Sequence, residues 1–387
     1  MTSNIYKELG VSASKEDVLA AIESEDRGLY PGAFCKIMQD PWDKDWCVIM
    51  HADGAGTKSL IAYLYYRETG DASYFRNPAQ DSIVMNTDDM ATVGAVNNFI
   101  MSNTIDRNAH RIGGDAIKEI IKGYSDFAAM LGKHGVNIIS GGGETADVGD
   151  LVATSTVNSA FFVRMPKKRL ITFEKVKPGD VIVGLASSGQ ATYESKENSG
   201  IGSNGLTAAR HMLLKKEYVL EYPEIQSSTI EDIGYIGKYG LNDKLEGTSL
   251  TVGEALISPT HTYLPILKDL IDNNFDVIHG IVHNTGGALT KSAKLGVGLH
   301  YIKDDLFPVP AIFKAIYESG RITWAEMFTV FNLGQRMEVY TSAAQAQKVI
   351  DTAKKYGVDA KVIGRIEKSK DKNNHVTVIH QGKEYNL

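Results

Sequence analysis

The sequence M-H-A-D-G-A-G-T-K, residues 50–58, follows an apolar run and places a carboxylate, two glycines, a hydroxyl and a lysine in close order. This order is typical of a strand that leads into a phosphate-binding loop, because glycine lets backbone N–H groups approach an anion. Asp53 is a candidate ligand for a divalent cation, and Thr57 and Lys58 are candidate phosphate contacts. For this stretch alone, a glycine-rich turn with a surface lysine is the alternative, since short glycine motifs recur by chance.

The composition is that of a globular protein with room for two domains. A chain of 387 residues exceeds what one hydrophobic core usually organises. Its hydrophobic share of 43% and charged share of 23% are ordinary for a globular protein. The formal net charge is −6, and no block of like charge is long enough to follow a phosphate backbone. We therefore expect no nucleic acid partner.

The N-terminus carries no basic region followed by an apolar core, and no apolar run approaches the roughly 18 residues of a membrane span. We expect a cytoplasmic protein with no membrane partner. The two cysteines, Cys35 and Cys47, are too few and too irregularly placed for a disulfide framework or a Cys-x-x-Cys metal site. Reduced thiols are the expectation.

An acidic helix is predicted from Asn77 to Gly94, because asparagine before proline is a typical helix start. Asp81, Asp88 and Asp89 fall within one broad face of this helix, so their carboxylates can point in similar directions. Like charges on one face repel each other, and a bound metal ion would remove that cost. A solvated acidic face is the alternative for this segment.

A second glycine motif, G-G-G-E-T-A-D-V-G-D at 141–150, follows the short apolar strand V-N-I-I-S. Consecutive glycines cost backbone entropy, which predicts a close approach of the backbone to a ligand. Glu144 follows the glycines directly, so a strand, glycines and a carboxylate occur together here as they do around Asp53. A flexible loop is the alternative.

The C-terminal half alternates strand and helix signals and carries further loop motifs. Ser203-Asn204-Gly205 precedes a helix, where it can bind an anion or simply cap the helix. Thr285-Gly286-Gly287 also precedes a helix and is a second candidate phosphate cradle. His283 stands just before it, although a lone histidine is more often structural.

The order of the elements predicts an α/β chain of two domains. A basic cluster, Lys167–Arg169, and the turn V-K-P-G-D at 176–180 indicate the boundary. We predict one domain over residues 1–170 and a second over residues 171–387.

Taken together, these segments resemble the phosphoribosylformylglycinamidine cyclo-ligase (aminoimidazole ribonucleotide synthetase) family. The matching motifs, in the family's order, are D-G-A-G-T-K at 53–58, D-S-I-V-M-N-T-D-D-M at 81–90, G-G-E-T-A at 142–146, S-S-G at 187–189, S-N-G at 203–205, S-P-T-H at 258–261, H-N-T-G-G at 283–287 and F-N-L-G at 331–334. Related ATP-dependent enzymes share the first and third motifs, and the C-terminal set favours the cyclo-ligases.

The resemblance implies an N-terminal four-stranded sheet that pairs with its copy into an eight-stranded barrel, and a C-terminal α/β sandwich domain. It also implies a homodimer with ATP and Mg²⁺ at the interface. The implied reaction is the ATP-dependent cyclisation of formylglycinamidine ribonucleotide to aminoimidazole ribonucleotide, through phosphorylation of the formamide oxygen and attack by the amidine nitrogen. The fold, the cofactors and the partner are thus expectations from the family.

The resemblance also implies roles for individual residues. The implied Mg²⁺ ligands are Asp53, Asp89 and Glu144, with Asp81 as a further candidate. The other implied nucleotide contacts are Gly54, Gly56, Thr57, Lys58, Gly142, Gly143 and Thr145. The implied substrate contacts are Ser188, Gly189, Asn204, Gly205, Thr285 and Gly286. Lys58 would act on the transferred phosphate, and His283 would transfer a proton.

Several positions differ from the family's pattern, among them Gly202 in place of a histidine, His261 in place of an arginine and Arg336 in place of a glycine. Two alternatives to the cyclo-ligase therefore stay open at this point. One is a related ATP-dependent phosphotransferase that acts on another small molecule. The other is a catalytically silent nucleotide-binding protein, although the acidic residues and Lys58 are all present.

Overall fold

The computed structural model describes residues 5–12, 16–22, 24–230 and 233–387. The α-helices are α1 (Ile5–Glu8), α2 (Glu16–Ala21), α3 (Lys58–Thr69), α4 (Arg76–Ala91), α5 (Gly114–Lys133), α6 (Leu206–Leu213), α7 (Glu217–Glu221), α8 (Val252–Ile257), α9 (Leu264–Asn274), α10 (Ala311–Glu318), α11 (Trp324–Val330) and α12 (Ala346–Lys355). The strands are β1 (Met38–Gln39), β2 (Trp46–Gly54), β3 (Phe99–Arg107), β4 (Ile138–Asp147), β5 (Ser155–Pro166), β6 (Asp180–Ala186), β7 (Gly280–His283), β8 (Leu299–Lys303), β9 (Gln335–Ser342), β10 (Ala360–Lys368), β11 (His375–His380) and β12 (Lys383–Asn386). None of the helices in these ranges is long and apolar enough to cross a membrane.

The N-terminal half forms a five-stranded sheet in the order β1-β2-β5-β3-β4. Only β3 and β4 run parallel, and the other neighbours are antiparallel. The side chains of β5 alternate, so that Val157, Phe161 and Val163 are buried on one face, as expected for a sheet covered on one side. Helix α4 packs on that face against β2 and β5, with α5 beside it.

The predicted four-stranded sheet is present as the four long strands, and the two-residue β1 adds a fifth at the edge. Over the residues that the structure describes, this sheet does not close into a barrel, and the predicted pairing with a second copy stays a prediction. The predicted boundary near residue 170 also stays a prediction. It falls between Pro166, the last residue of β5, and Asp180, the first of β6.

The C-terminal half forms a seven-stranded sheet in the order β12-β11-β8-β10-β6-β9-β7. All neighbours are antiparallel except β8 and β11. Strand β9 is buried along almost its whole length, which indicates that both faces of the sheet are covered at its centre. The mixed α/β architecture with two sheets confirms the predicted fold class.

Helix α4 is the central element between the two halves. It contacts β2 and β5 on one side and α9 and β7 of the C-terminal half on the other. Almost all of its residues after Asn77 are buried, including all three aspartates. The alternative of a solvated acidic face is therefore wrong, because the face lies inside the protein. The predicted start at Asn77 is also one residue late, since the helix begins at Arg76 and the Asn77 amide instead bonds the Ile257 carbonyl oxygen.

Candidate active site

A cavity of about 470 Å³ lies at the end of β2, between residues of the N-terminal and C-terminal halves. The predicted site residues that line it are Asp53, Gly54, Gly56, Asp89, Asn204, Thr285 and Gly286. These residues come from four motifs that are far apart in the sequence. The cavity therefore brings together seven of the predicted nucleotide, metal and substrate contacts.

Asp53 reaches the cavity because β2 ends there and the chain turns directly into α3. The carboxylate of Asp53 accepts a hydrogen bond from the Gly54 N–H at 2.7 Å. A side chain at Gly54 would meet Asn158 Oδ1 of the neighbouring strand at 2.0 Å, and Gly56 has a φ of 58°. The neighbouring strand thus explains glycine at 54, and the left-handed backbone favours glycine at 56, whether or not an anion binds.

Asp89 faces the same cavity and is held by two histidines. Its Oδ1 bonds His283 Nδ1 at 2.6 Å, and its Oδ2 lies 3.5 Å from His51 Nε2. Burial alone would raise the Asp89 pKa, but the bond to His283 and the neighbouring positive charges hold that pKa below its usual value. Asp89 is therefore an oriented, ionised carboxylate in the cavity wall.

His283 is fully buried, and both of its ring nitrogens are occupied. Nδ1 bonds Asp89, and Nε2 accepts a hydrogen bond from Arg336 Nε at 2.9 Å. Burial and the charge of Arg336 lower the His283 pKa to about 4, so the ring is neutral near pH 7. The predicted transfer of a proton to substrate has no available ring nitrogen in this arrangement. His283 instead orients Asp89.

Lys58 does not reach the cavity, contrary to its predicted contact with phosphate. Its ammonium is fully buried and pairs with Asp81 Oδ2 at 2.6 Å, and it also donates to the Ser258 carbonyl oxygen at 2.5 Å. Asp81 in turn accepts from the Thr260 N–H at 2.5 Å and from the Ser203 hydroxyl at 2.8 Å. The pair is therefore an internal link between the two halves, and Asp81 is not available to a metal ion.

Asp88, the third acidic residue of α4, also points away from the cavity. It accepts hydrogen bonds from the Thr262 hydroxyl and the Tyr263 N–H, both at 2.8 Å. Burial raises the pKa of Asp88 to about 7 despite these bonds. The expectation that the three aspartates point in similar directions is thus wrong, because each of them has a different set of partners.

Lys291, which is not among the predicted site residues, lies in the cavity wall. Lys291 Nζ donates to Thr285 Oγ1 at 2.7 Å and sits over the Phe34 ring, 4.5 Å from its centroid. Burial lowers the pKa of Lys291, and the charge of Asp89 partly opposes that shift. One feature of the sequence could have identified Lys291. It lies six residues after Thr285, in the short helical segment that follows the Thr-Gly-Gly loop, where Gly287 has a φ of 89°.

The Gly142–Thr145 motif is not part of this cavity. It belongs to the edge strand β4, where it is exposed, so the predicted loop is a strand. The register places Asp53 opposite Ser159, Ser159 opposite Asn103 and Asn103 opposite Gly143. Three strand spacings make roughly 14 Å between Asp53 and this motif. Glu144 therefore does not join Asp53 and Asp89 within one chain.

The remaining predicted contacts lie beside the cavity or away from it. Ser188 and Gly189 are exposed after β6, where Gly189 bridges to Asn198. The Thr57 hydroxyl bonds the Thr207 hydroxyl at 3.0 Å, next to the wall. Gly205 has a φ of 78° and packs so closely on the ring of Phe331 that no side chain fits. None of these four predicted residues lines the cavity.

The donors in the cavity fit a magnesium ion bound together with phosphate. Within the ranges that the structure describes, no cluster of three or more His, Cys, Asp or Glu side chains forms a complete metal cage. Mg²⁺ usually takes only one or two carboxylates and completes its shell with water and phosphate oxygens. Asp53 and Asp89, on one cavity with Lys291, match that donor set.

Comparison with known families finds two matches that together cover most of the chain. Residues 26–161 match the model described as AIR synthase related protein, N-terminal domain. Residues 177–376 match the model of the C-terminal domain of the same family. The cavity is lined from both matched regions.

Similar curated proteins are named phosphoribosylformylglycinamidine cyclo-ligase. That of Methanocaldococcus jannaschii is 30% identical, over 96% of this chain and 95% of its own length. That of Pyrococcus horikoshii is 31% identical, over 87% of this chain and 85% of its own length.

Among solved structures, PurL of T. maritima has a similar fold at 15% identity. The TM-score is 0.54 for the complex with FGAR and 0.51 for the complex with ATP, and each match covers 99% of this chain. This chain spans about half the length of PurL, 54% and 53% in the two complexes. At this identity the likeness concerns the fold alone.

Proposed function

Because this chain belongs to the AIR synthase related protein family, we propose that it is an ATP-dependent cyclo-ligase that converts formylglycinamidine ribonucleotide to aminoimidazole ribonucleotide. The observation that carries the proposal is the cavity lined by Asp53, Asp89 and Lys291, with glycine-rich backbone from both matched regions. Its carboxylates, ammonium and glycine backbone are the groups that phosphoryl transfer requires. The cyclo-ligases of M. jannaschii and P. horikoshii resemble the chain over most of its length.

The Thr285–Gly287 loop and Lys291 are the proposed phosphate-binding groups. Gly286 and Gly287 leave the backbone accessible, and the bond from Lys291 to Thr285 holds the ammonium beside that loop. Lys291 thus takes the role that the sequence analysis assigned to Lys58. ATP is the proposed nucleotide, in keeping with the ATP complex of PurL, which has the same fold.

Asp53 and Asp89 are the proposed ligands of Mg²⁺. The Gly54 N–H holds the Asp53 carboxylate, and His283 holds that of Asp89. Mg²⁺ bound to them would neutralise charge on the phosphates during transfer. The chain's own contribution is to hold both carboxylates in a fixed direction.

The substrate end of the cavity is proposed at Ser203 and Asn204. Within the described residues, Asn204 Oδ1 is buried without a hydrogen-bond donor, so it is available to accept an N–H of the substrate. In the proposed reaction the γ-phosphoryl group of ATP passes to the formamide oxygen and ADP forms. The amidine nitrogen then closes the ring as inorganic phosphate leaves. The loop that contains Ser203 and Asn204 would hold the formamide oxygen in line with the transferred phosphoryl group.

A homodimer is part of the proposal, supported by the open face of the five-stranded sheet. The register aligns Met50, Phe162, Ile100 and Ile139 in one row across that face. Met50, Ile100 and Ile139 are 61%, 45% and 53% exposed, which is unusual for large apolar side chains in one row. A second copy that covers this face would bury the row, and its Glu144 would be the proposed third acidic contact to nucleotide.

The function is tested by incubating the purified protein with formylglycinamidine ribonucleotide, ATP and Mg²⁺. We expect equal amounts of ADP and aminoimidazole ribonucleotide to form. ADP that depends on another acceptor, with no imidazole product, would favour a related phosphotransferase. No ADP release from any condition would contradict the proposal.

The site is tested by Asp53→Asn in the same assay. We expect at least a roughly 100-fold lower turnover, about 2.7 kcal/mol of transition-state stabilisation, with an unchanged unfolding temperature. Asp150→Asn, at an exposed aspartate after β4, is the matched control and should retain wild-type turnover. Wild-type turnover in Asp53→Asn would remove Asp53 from the site.

A further inference from the structure

Arg336 is a buried cation with an unusual set of partners. It lies on β9 and is 1% exposed. Its Nε donates to His283 Nε2 at 2.9 Å, and its Nη2 lies 3.2 Å from the sulfur of Met85, a residue of the cavity wall. In the part of the chain that the structure describes, Nη1 has no hydrogen-bond acceptor. The hydrogen bond to His283 is thus the main polar contact of this guanidinium.

Gly202 leaves the space that the guanidinium occupies. A side chain at Gly202 would begin 1.8 Å from Arg336 Nη1, and the φ of Gly202 is 67°. The next two residues, Ser203 and Asn204, line the cavity. Arg336 therefore lies directly behind the wall that faces the proposed substrate.

We propose that Arg336 is a positioning residue of this site, which acts through His283 to hold the Asp89 carboxylate toward the cavity, and that Gly202 makes room for it. The inference rests on the proposed function, since it assigns Arg336 a part in the same site. Arg336, His283 and Asp89 form one continuous series of hydrogen bonds, of 2.9 Å and 2.6 Å.

The hydrogen bond from Arg336 decides which nitrogen of His283 carries the proton. Guanidinium is only a donor, so His283 Nε2 must be the acceptor and the proton lies on Nδ1. The Nδ1–H then donates to Asp89 and fixes the ring and the carboxylate together. Such outer partners of a metal-binding carboxylate are typically worth a factor of about 10 to 100 in metal affinity or activity.

If Arg336 had a purely structural role, its removal would lower the unfolding temperature and leave metal binding unchanged. The proposal predicts the opposite. Among the described residues Arg336 forms no salt bridge, so its removal leaves no bonded carboxylate without its partner, and it relieves the cost of burying a charge. Arg336→Met should therefore leave the unfolding temperature near that of the wild type. We expect the loss to appear in metal binding and turnover instead.

The experiment measures Mn²⁺ binding in the presence of ADP by electron paramagnetic resonance, and Mg²⁺ dependence of turnover, in the full chain. Arg336→Met should weaken Mn²⁺ binding and lower kcat by about 10- to 100-fold, while Arg336→Lys should recover part of both. Arg210→Met removes another buried arginine, bonded to Tyr235 and Ile225, and is the matched control. It should retain wild-type Mn²⁺ binding.

A double-mutant cycle tests the pairing with Gly202. Gly202→Ala should weaken Mn²⁺ binding in the wild type, because it displaces the guanidinium, and should have a smaller effect when Arg336 is already methionine. Wild-type Mn²⁺ binding in Arg336→Met, or equal effects of Gly202→Ala in both backgrounds, would overturn the inference. Because Mn²⁺ binding needs no turnover, this result is separate from a failure of the proposed reaction.

Discussion

The three aspartates of α4 show how the surroundings of a single residue decide its role. Asp81 neutralises Lys58, Asp88 binds the backbone and hydroxyl of the 262–263 segment, and Asp89 faces the cavity. All three are buried. Three aspartates of one helix therefore have three roles: one forms an ion pair, one binds the backbone and hydroxyl of a neighbouring segment, and one lines the cavity.

Lys58 and Lys291 have different roles, the first structural and the second, by our proposal, chemical. Lys58→Met leaves Asp81 as an uncompensated buried charge, so we expect about 3–5 kcal/mol lower free energy of unfolding.

Lys291→Met removes the proposed phosphate contact, so we expect turnover to fall at least about 10-fold with little change in stability. Urea unfolding and the ADP assay measure the two effects.

The two variants serve as controls for each other. Unchanged stability in Lys58→Met would contradict the buried ion pair. Wild-type turnover in Lys291→Met would contradict the proposed contact between Lys291 and the phosphates of ATP.

At the scale of elements, β4 shows why a glycine motif in the sequence need not be a loop. The Gly141–Gly143 backbone continues as a strand beside β3, and a side chain at Gly143 would begin 2.2 Å from Asn103 Oδ1. The neighbouring strand thus explains glycine at this position without any ligand. The motif remains exposed at the edge, where a second copy could reach it.

The open face of the sheet predicts the state of association. Ile100→Lys places a charge in the exposed apolar row, so we expect it to shift the protein from a dimer toward a single chain of 42.3 kDa in analytical ultracentrifugation. Ile121→Lys is the matched control, since Ile121 is 51% exposed on α5. A wild-type protein that sediments as a single chain would contradict the homodimer.

At the scale of the whole molecule, the two halves are joined through α4 and the 258–263 segment. Asp81 and Asp88 bind Thr260, Thr262 and Tyr263 across this contact. The cavity also lies where the halves meet. Residues from both family domains thus line one cavity.

Acid should destabilise this molecule partly through His211. It is buried in α6, where burial and the charge of Arg210 lower its pKa to about 3. In the unfolded chain the His211 ring takes up a proton below about pH 6.5, whereas in the folded chain it stays neutral down to about pH 3. The contribution of His211 to stability is therefore full above pH 6.5 and falls as the pH decreases toward 3. Between pH 7 and pH 5 the loss is about 2 kcal/mol.

Urea unfolding of wild type and His211→Gln at both pH values measures this contribution. Glutamine cannot titrate, so the variant should lose about 2 kcal/mol less than the wild type over this range. An identical pH dependence in the two proteins would show that His211 is not the group responsible.

Much of the fold and the function was predictable from the sequence. Hydrophobic periodicity located the main elements, since the apolar residues that face the core recur at different spacings in strands and in helices. The order of the short motifs predicted the family, which the matches to both family domains confirm. Asp53, Asp89 and the Thr285–Gly287 loop, all predicted from these motifs, line one cavity.

The tertiary structure alone decided which of the charged residues face that cavity. Lys58 and Lys291 look alike in the sequence, yet one is sealed against Asp81 and the other lies beside the Thr-Gly-Gly loop. The difference arises because a side chain's partners come from segments distant along the chain. For the same reason only the folded chain shows that the Arg336 guanidinium fills the space at Gly202.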